Sequence, residues 1–312
     1  MSHVTATPHA VYRVQHETEY RYKSAVSLSQ QYLHMTPRSF NYQTTLSHQI
    51  AIDPVTQDWI KRDDFFGNQT KSITIAKAHQ VLTVKAESIV AVHARLARPQ
   101  IAGAMAWETL RAGLRQSSGG VPLGSLEPFN FLYESPHIAC SPALASYAAP
   151  SFTSGRPVLD AALDLTERIF REFKFDSKAT TISTPLAEVL AGRRGVCQDF
   201  AHLMIGCLRT LGLACRYVSG YILTTPTAGQ PRLIGADASH AWVSVYCPGF
   251  GWVDFDPTNR CLVQDEHITL GWGRDFSDVT PMRGIVLGGG EQDLKVRVTV
   301  TPMSHGQTAS YL

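Results

Sequence analysis

Residues 195–221 read GVCQDFAHLMIGCLRTLGLACRYVSGY. From Cys197 onward the apolar residues recur at helical spacing, so that Cys197, Phe200, Ala201, Met204, Cys207, Leu208 and Leu211 share one face. Gly212 supplies the stop, because glycine accepts the left-handed conformation that closes a helix. Arg216 to Leu223 then reads as a strand. Gly195 allows a tight entry, and Cys197 falls in the first turn with its sulfur turned toward the protein body. Free N–H groups and the positive end of the helix dipole favour thiolate at that position, and thiolate is the nucleophile. Taken alone, the position suits a small buried residue better than a catalytic one.

Two later stretches reverse that balance. In ASHAWVSVY (238–246), His240, Trp242, Ser244 and Tyr246 share a face; in WVDFD (252–256), Trp252, Asp254 and Asp256 do. Between them CPGFG favours a turn, so a hairpin is the economical connection. The polar faces coincide only if opposed residues have numbers of equal parity. A loop from Cys247 to Gly251 meets this condition and opposes Tyr246 to Trp252, Ser244 to Asp254 and Trp242 to Asp256. Asp256 is then the diagonal neighbour of His240, at roughly 7–8 Å between backbones, which polar side chains can close. Asp254 lies a step further off.

Thiol, imidazole and carboxylate form the nucleophile, base and orienter of acyl transfer. His240 would hold Cys197 as thiolate and later protonate the leaving amine, while Asp256 would fix the tautomer and support the imidazolium. Trp242 and Tyr221 are expected to wall the site against water. Asp199 and His202 leave the Cys197 stripe on a helical wheel and are expected to be structural.

The three stretches GVCQDFAHLMIGCLRTLGLACRYVSGY, SHAWVSVY and GWVDFDPT resemble the signature blocks of the bacterial transglutaminase-like superfamily, whose members share a papain-like cysteine-enzyme core. The resemblance implies Cys197, His240 and Asp256 as the triad, the residues that spacing also selects. YRVQHETEYRYKSAVSLSQQYLHMTPR (12–38) resembles the β domain that precedes this core in one bacterial branch. DDFFGN (63–68) resembles its turn, and GRDFSDVTPMRG (273–284) the segment that closes the core.

The remaining chain fits an α+β class. Tyr12 to Tyr22 and Leu82 to Val92 alternate with period two, with His16 on the apolar face as a satisfied core histidine. Ile73 and Ile75 form a shorter piece after the FGN turn. Leu159, Ala162, Leu163, Thr166, Ile169, Phe170 and Phe173 make a helical stripe opened by Pro157, and a shorter helix is expected with Thr184 as cap and Pro185 first. A final strand spans Leu294 to Val300 and is a candidate to cover an edge of the first sheet. The expected organisation is an N-terminal β-sheet or sandwich at 1–100, a connecting segment and start of the core at 101–156 with a flexible link or surface loop through Ser117–Gly120, a papain-like, transglutaminase-like catalytic core with antiparallel strands at 157–275, and a closing segment at 276–312.

Composition narrows the function. Charged residues are 17% of the 312, with net charge +2, which argues against global disorder and against a nucleic-acid or anionic-membrane surface. No apolar run approaches the roughly 18 residues of a membrane span. The first twenty residues have neither a basic start nor an apolar stretch, so a cytoplasmic location is expected. The six cysteines contain no CxxC pair, and neither metal nor cofactor is expected. The leading reading is a cysteine enzyme that hydrolyses peptide or protein amides through a thioester, as the resemblance implies for many bacterial members. Transamidation of glutamine by an amine is the second reading, and a catalytically idle binding module the third. The oligomeric state is left open.

Overall fold

The computed structural model describes residues 9–115, 126–224, 239–308 and 311. The expected link through Ser117–Gly120 lies outside them, as does Ala238. Five strands come first: β1 (Ala10–Leu33), β2 (Gln43–Asp53), β3 (Trp59–Asp63), β4 (Gln69–Ile75) and β5 (His79–Val92). Helices α1 (Trp107–Arg115), α2 (Pro142–Ala148) and α3 (Val158–Glu172) follow. Next are β6 (Lys174–Phe175), α4 (Leu186–Gly192), β7 (Arg194–Gly195) and α5 (Cys197–Thr210). The remaining strands are β8 (Cys215–Ile222), β9 (Ser239–Cys247), β10 (Gly251–Asp256), β11 (Cys261–Leu262), β12 (His267–Gly273), β13 (Met282–Gly288) and β14 (Gln292–Pro302).

β1 extends well past Tyr22, because buried Val26, Ser29, Gln31 and Leu33 continue an inward face. A register break between Arg21 and Val26 lets its two halves take different neighbours. The first half runs between β5 and β14, the second between β4 and β13, all antiparallel. The C-terminal strand thus pairs with β1 from Tyr12–Pro302 to Tyr22–Gln292. Its alternation is only half buried: Val298 and Val300 are inside, whereas Leu294 and Val296 are exposed. His16 is buried and satisfied, with Tyr221 Oη at 2.9 Å and Thr18 Oγ1 at 3.1 Å, and burial lowers its pKa to about 4.

The second sheet has the order β11-β10-β9-β8-β12, antiparallel throughout. One face, with Tyr217, Val243, Val245 and Phe255, packs against Phe200, Met204 and Leu208 of α5 and against α3. The segment before α3 holds α1 and α2, neither of which the sequence signalled. The short helix α4 also begins one residue later than expected. Pro185 is its cap residue, because the Thr184 hydroxyl accepts the N–H of Thr181 rather than one from the helix. Among the described residues no helix is long and apolar enough to cross a membrane, and all six cysteines are free.

The two sheets meet through a shared apolar layer in which Tyr12, Val14, Val90, Val298 and Val300 touch Tyr221, Ile268 and Leu270. Polar links run beside it. Gln43 grips the backbone of Thr269 at both ends, its Oε1 accepting the N–H at 2.7 Å and its Nε2 donating to the carbonyl at 2.7 Å. Asn68 does the same for Trp272, at 3.0 and 2.8 Å.

Candidate active site

The helix bearing Cys197 starts where the spacing placed it. Val196 is extended, and Asp199 at the third helical position caps the turn by accepting the Val196 N–H at 2.8 Å and the Thr180 hydroxyl at 2.6 Å. Gly195 is needed for space rather than for a left-handed φ, since a Cβ there would sit 2.6 Å from Asp199 Oδ2. Asp199 is therefore structural. His202 is also structural: it is buried, stacks on His137 at 5.5 Å, and its Nε2 accepts the Phe276 N–H. Burial, resisted by Asp275, lowers its pKa to about 3.

The hairpin register follows the parity argument, pairing Trp252 with Tyr246 and Asp254 with Ser244. Asp256, the last residue of β10 and fully buried, receives His240 Nε2 on Oδ2 at 2.7 Å. Cys197, which is half-buried, lies near enough to act on the His240 ring electrostatically. With Nε2 committed to the carboxylate, Nδ1 is the nitrogen left for the sulfur. Burial opposes charge on His240, but the Asp256 carboxylate, with Cys197 close by, outweighs it and pushes its pKa up to about 10. Burial works against the charged carboxylate as well, yet hydrogen bonds from His240 and His267 hold Asp256 well below the usual range. The imidazole is thus set between an anionic orienter and a sulfur at a helix N-terminus. Size does not pick out this place: clefts of about 440 Å³ beside Gln15, Glu17 and Lys85 and of about 560 Å³ beside Leu114, Phe129 and Tyr133 lie elsewhere.

Residues 145–257 match the family model described as the transglutaminase-like superfamily, and residues 12–91 match the bacterial transglutaminase-like N-terminal region. A protein of Mycobacterium tuberculosis, described as uncharacterized, is 41% identical over 298 residues, covering 93% of this chain and 92% of its own. The chain belongs to the transglutaminase-like superfamily. A protein-glutamine gamma-glutamyltransferase of Pseudomonas aeruginosa is 36% identical over 80 residues, 25% of this chain and 12% of that enzyme. Among solved structures, a candidate cysteine protease from Cytophaga hutchinsonii superimposes with a TM-score of 0.72 at 18% identity. It covers 95% of this chain and 91% of its own, and shows a common fold.

Within this transglutaminase-like core the two expected wall residues behave differently from that reading. Trp242 is fully buried beneath His240, with ring centroids 6.1 Å apart, and its Nε1 donates to Asp254 at 3.1 Å. It is a floor rather than a wall. Tyr221 does not reach the site: Gly220 opposes His240, so Tyr221 points to the other face, where its hydroxyl meets His16 of the N-terminal sheet. Its role is to join the sheets.

Sequence reasoning missed three contributors. Asn259 Nδ2 lies 2.7 Å from Asp256 Oδ2 and 3.3 Å from His240 Nε2. The signal for it was the DPTN turn, in which Asp256 Oδ1 accepts the N–H groups of Thr258 and Asn259. Arg95, from the end of the N-terminal sheet, pairs with Asp254 at 2.6 Å and so removes that carboxylate from any part with His240. His267 approaches Asp256 Oδ2 at 3.0 Å from across the sheet, and nothing local announced it. His240, Asp256 and His267 bring ligand-type atoms within 4.8 Å of one another, a clustering that their mutual hydrogen bonds already account for.

Proposed function

We propose that this chain is a cysteine-dependent acyl-transfer enzyme that hydrolyses peptide or protein amides, with Cys197, His240 and Asp256 as its triad. The observation that carries this reading is His240 bonded to buried Asp256 through Nε2, with half-buried Cys197 at the start of α5 close enough to act on the same ring. The sulfur attacks the amide carbonyl carbon, and the resulting oxyanion faces the first-turn N–H groups of α5. His240 Nδ1–H protonates the leaving amine as the C–N bond breaks, leaving a thioester. The same nitrogen then takes a proton from water, which attacks the thioester to release the acid and return the thiolate. A primary amine in place of that water gives transamidation. The short similarity to the gamma-glutamyltransferase favours keeping this as the second reading.

Mass spectrometry of the protein with a glutamine-containing peptide and a labelled amine tests both. Hydrolysis converts amide to acid and transamidation incorporates the amine, each through an acyl adduct on Cys197. Cys197→Ala should abolish adduct and product while leaving the melting temperature near wild type. Turnover persisting in that variant, or iodoacetamide reactivity at Cys197 no greater than at the other five cysteines, overturns the assignment.

A further inference from the structure

His267 is 3% exposed, and among the described residues only one of its ring nitrogens has a partner. Nε2 lies 3.0 Å from Asp256 Oδ2, the oxygen that also receives His240, while Nδ1 is buried and has no hydrogen-bond partner among the described residues. Leaving a buried polar atom orphaned costs stability, and an apolar residue would fill the volume without that cost. The arrangement suits the tautomer with hydrogen on Nε2, so that Nε2–H donates to the carboxylate and the orphaned atom is a lone pair.

Asp256 is thereby saturated. Oδ1 takes the N–H groups of Thr258 and Asn259, and Oδ2 takes Asn259 Nδ2, His267 Nε2 and His240 Nε2. The Thr258 and Asn259 donors belong to the same turn as Asp256 and move with it. His267 comes from β12, on the far side of β8 and β9, and anchors the carboxylate to a different part of the sheet. That strand is in turn gripped by Gln43 and by Arg95, which reaches Thr269 Oγ1 at 3.3 Å. Trp242 packs edge-on against the His267 ring at 5.3 Å and closes the remaining space.

We propose that His267 is a positioning residue: its Nε2–H fixes the rotation of the Asp256 carboxylate, and through it the orientation of His240 toward Cys197. The inference rests on the triad reading above. A further consequence is that the N-terminal sheet, by holding β12, sets the geometry of a catalytic centre to which it contributes no reacting group.

The test compares His267→Leu, which removes the donor, with His267→Gln, whose terminal amide can present an N–H where Nε2 stood. The readout is the rate of Cys197 carboxymethylation by iodoacetamide as a function of pH, with the urea midpoint measured alongside. In the Leu variant the rate at pH 6 should fall about tenfold or more, the scale on which supporting hydrogen-bond partners act, and Gln should restore most of it. Should Leu not fold, His267→Asn serves instead, because its shorter amide stops short of Oδ2. Equal behaviour of the donor-lacking and Gln variants overturns the inference, whether both match wild type or both lose rate in step with stability. His240→Ala separates the two levels. If it leaves the pH profile unchanged, the triad reading fails and takes this inference with it. If it shifts the profile while Leu and Asn do not, only the role of His267 fails.

Discussion

Asp254 and Asp256 are two residues apart on one face of one strand, yet their partners differ completely. Asp256 bonds His240, whereas Asp254 neutralises buried Arg95 and accepts Trp242. Asp256→Asn should lower kcat by on the order of 10³–10⁴, the scale for an orienting carboxylate replaced by an amide, and should also lower the urea midpoint, because the buried carboxylate satisfies five donors. Asp254→Asn should spare kcat while costing about 3 kcal/mol, because it leaves a buried guanidinium unpaired. Equal losses of kcat in the two variants would contradict this division. His240 carries a pH dependence of its own. Its pKa is raised in the folded state, so its contribution to stability is complete below the ordinary value near 6.5 and is lost as pH rises through about 10. Asp256 has the reverse sign: its contribution persists above the usual carboxylate range and disappears only as pH falls far below it. Urea midpoints between pH 6 and 10 should decline in the wild type and flatten in His240→Ala; parallel slopes would rule out the raised pKa.

The β9–β10 hairpin was legible because alternation fixes the faces and a turn of known residues fixes the register. Helix α5 was legible for a similar reason, since a seven-residue apolar stripe and a terminal glycine leave little freedom. What alternation does not reveal is how closely strands and rings approach across the sheet. Gly220 lies opposite His240, and a Cβ there would come within 2.2 Å of the Ile268 carbonyl oxygen and 2.4 Å of the Trp242 ring. Gly220→Ala should therefore cost about 3 kcal/mol or more by overpacking, and should lower the Cys197 alkylation rate by displacing the ring beneath His240. A midpoint within error of wild type would show that the sheet opens there without cost.

The two sheets are joined by β1, whose inner face meets β8 and β12, and by β14, which returns from the core to pair with β1. Between them Gln43 acts as a one-residue strand partner for Thr269. Gln43→Leu orphans that N–H and carbonyl, at about 1–3 kcal/mol for each buried group left unpaired. Amide hydrogen exchange along β12 should accelerate in this variant more than along β9. Unchanged protection of Thr269 would mean that the apolar layer alone secures the two sheets.

Local periodicity and spacing were enough to place Cys197 at a helix start, to align His240 with Asp256 rather than Asp254, and to distinguish an alternating first hundred residues from a helical middle. These are short-range properties: the pleat and the helical turn repeat over a few residues, and the intervening turns carry their own chemistry. The partners of Tyr221, Arg95 and His267 were beyond that reach. Each joins residues far apart in the chain, 205 positions for Tyr221 and His16 and 159 for Arg95 and Asp254. For His267 the separation from Asp256 is only 11 residues, but the contact crosses strands that precede both of them. Which polar groups are buried together depends on how the sheets fold onto one another, and a buried donor takes whichever acceptor that packing leaves within reach.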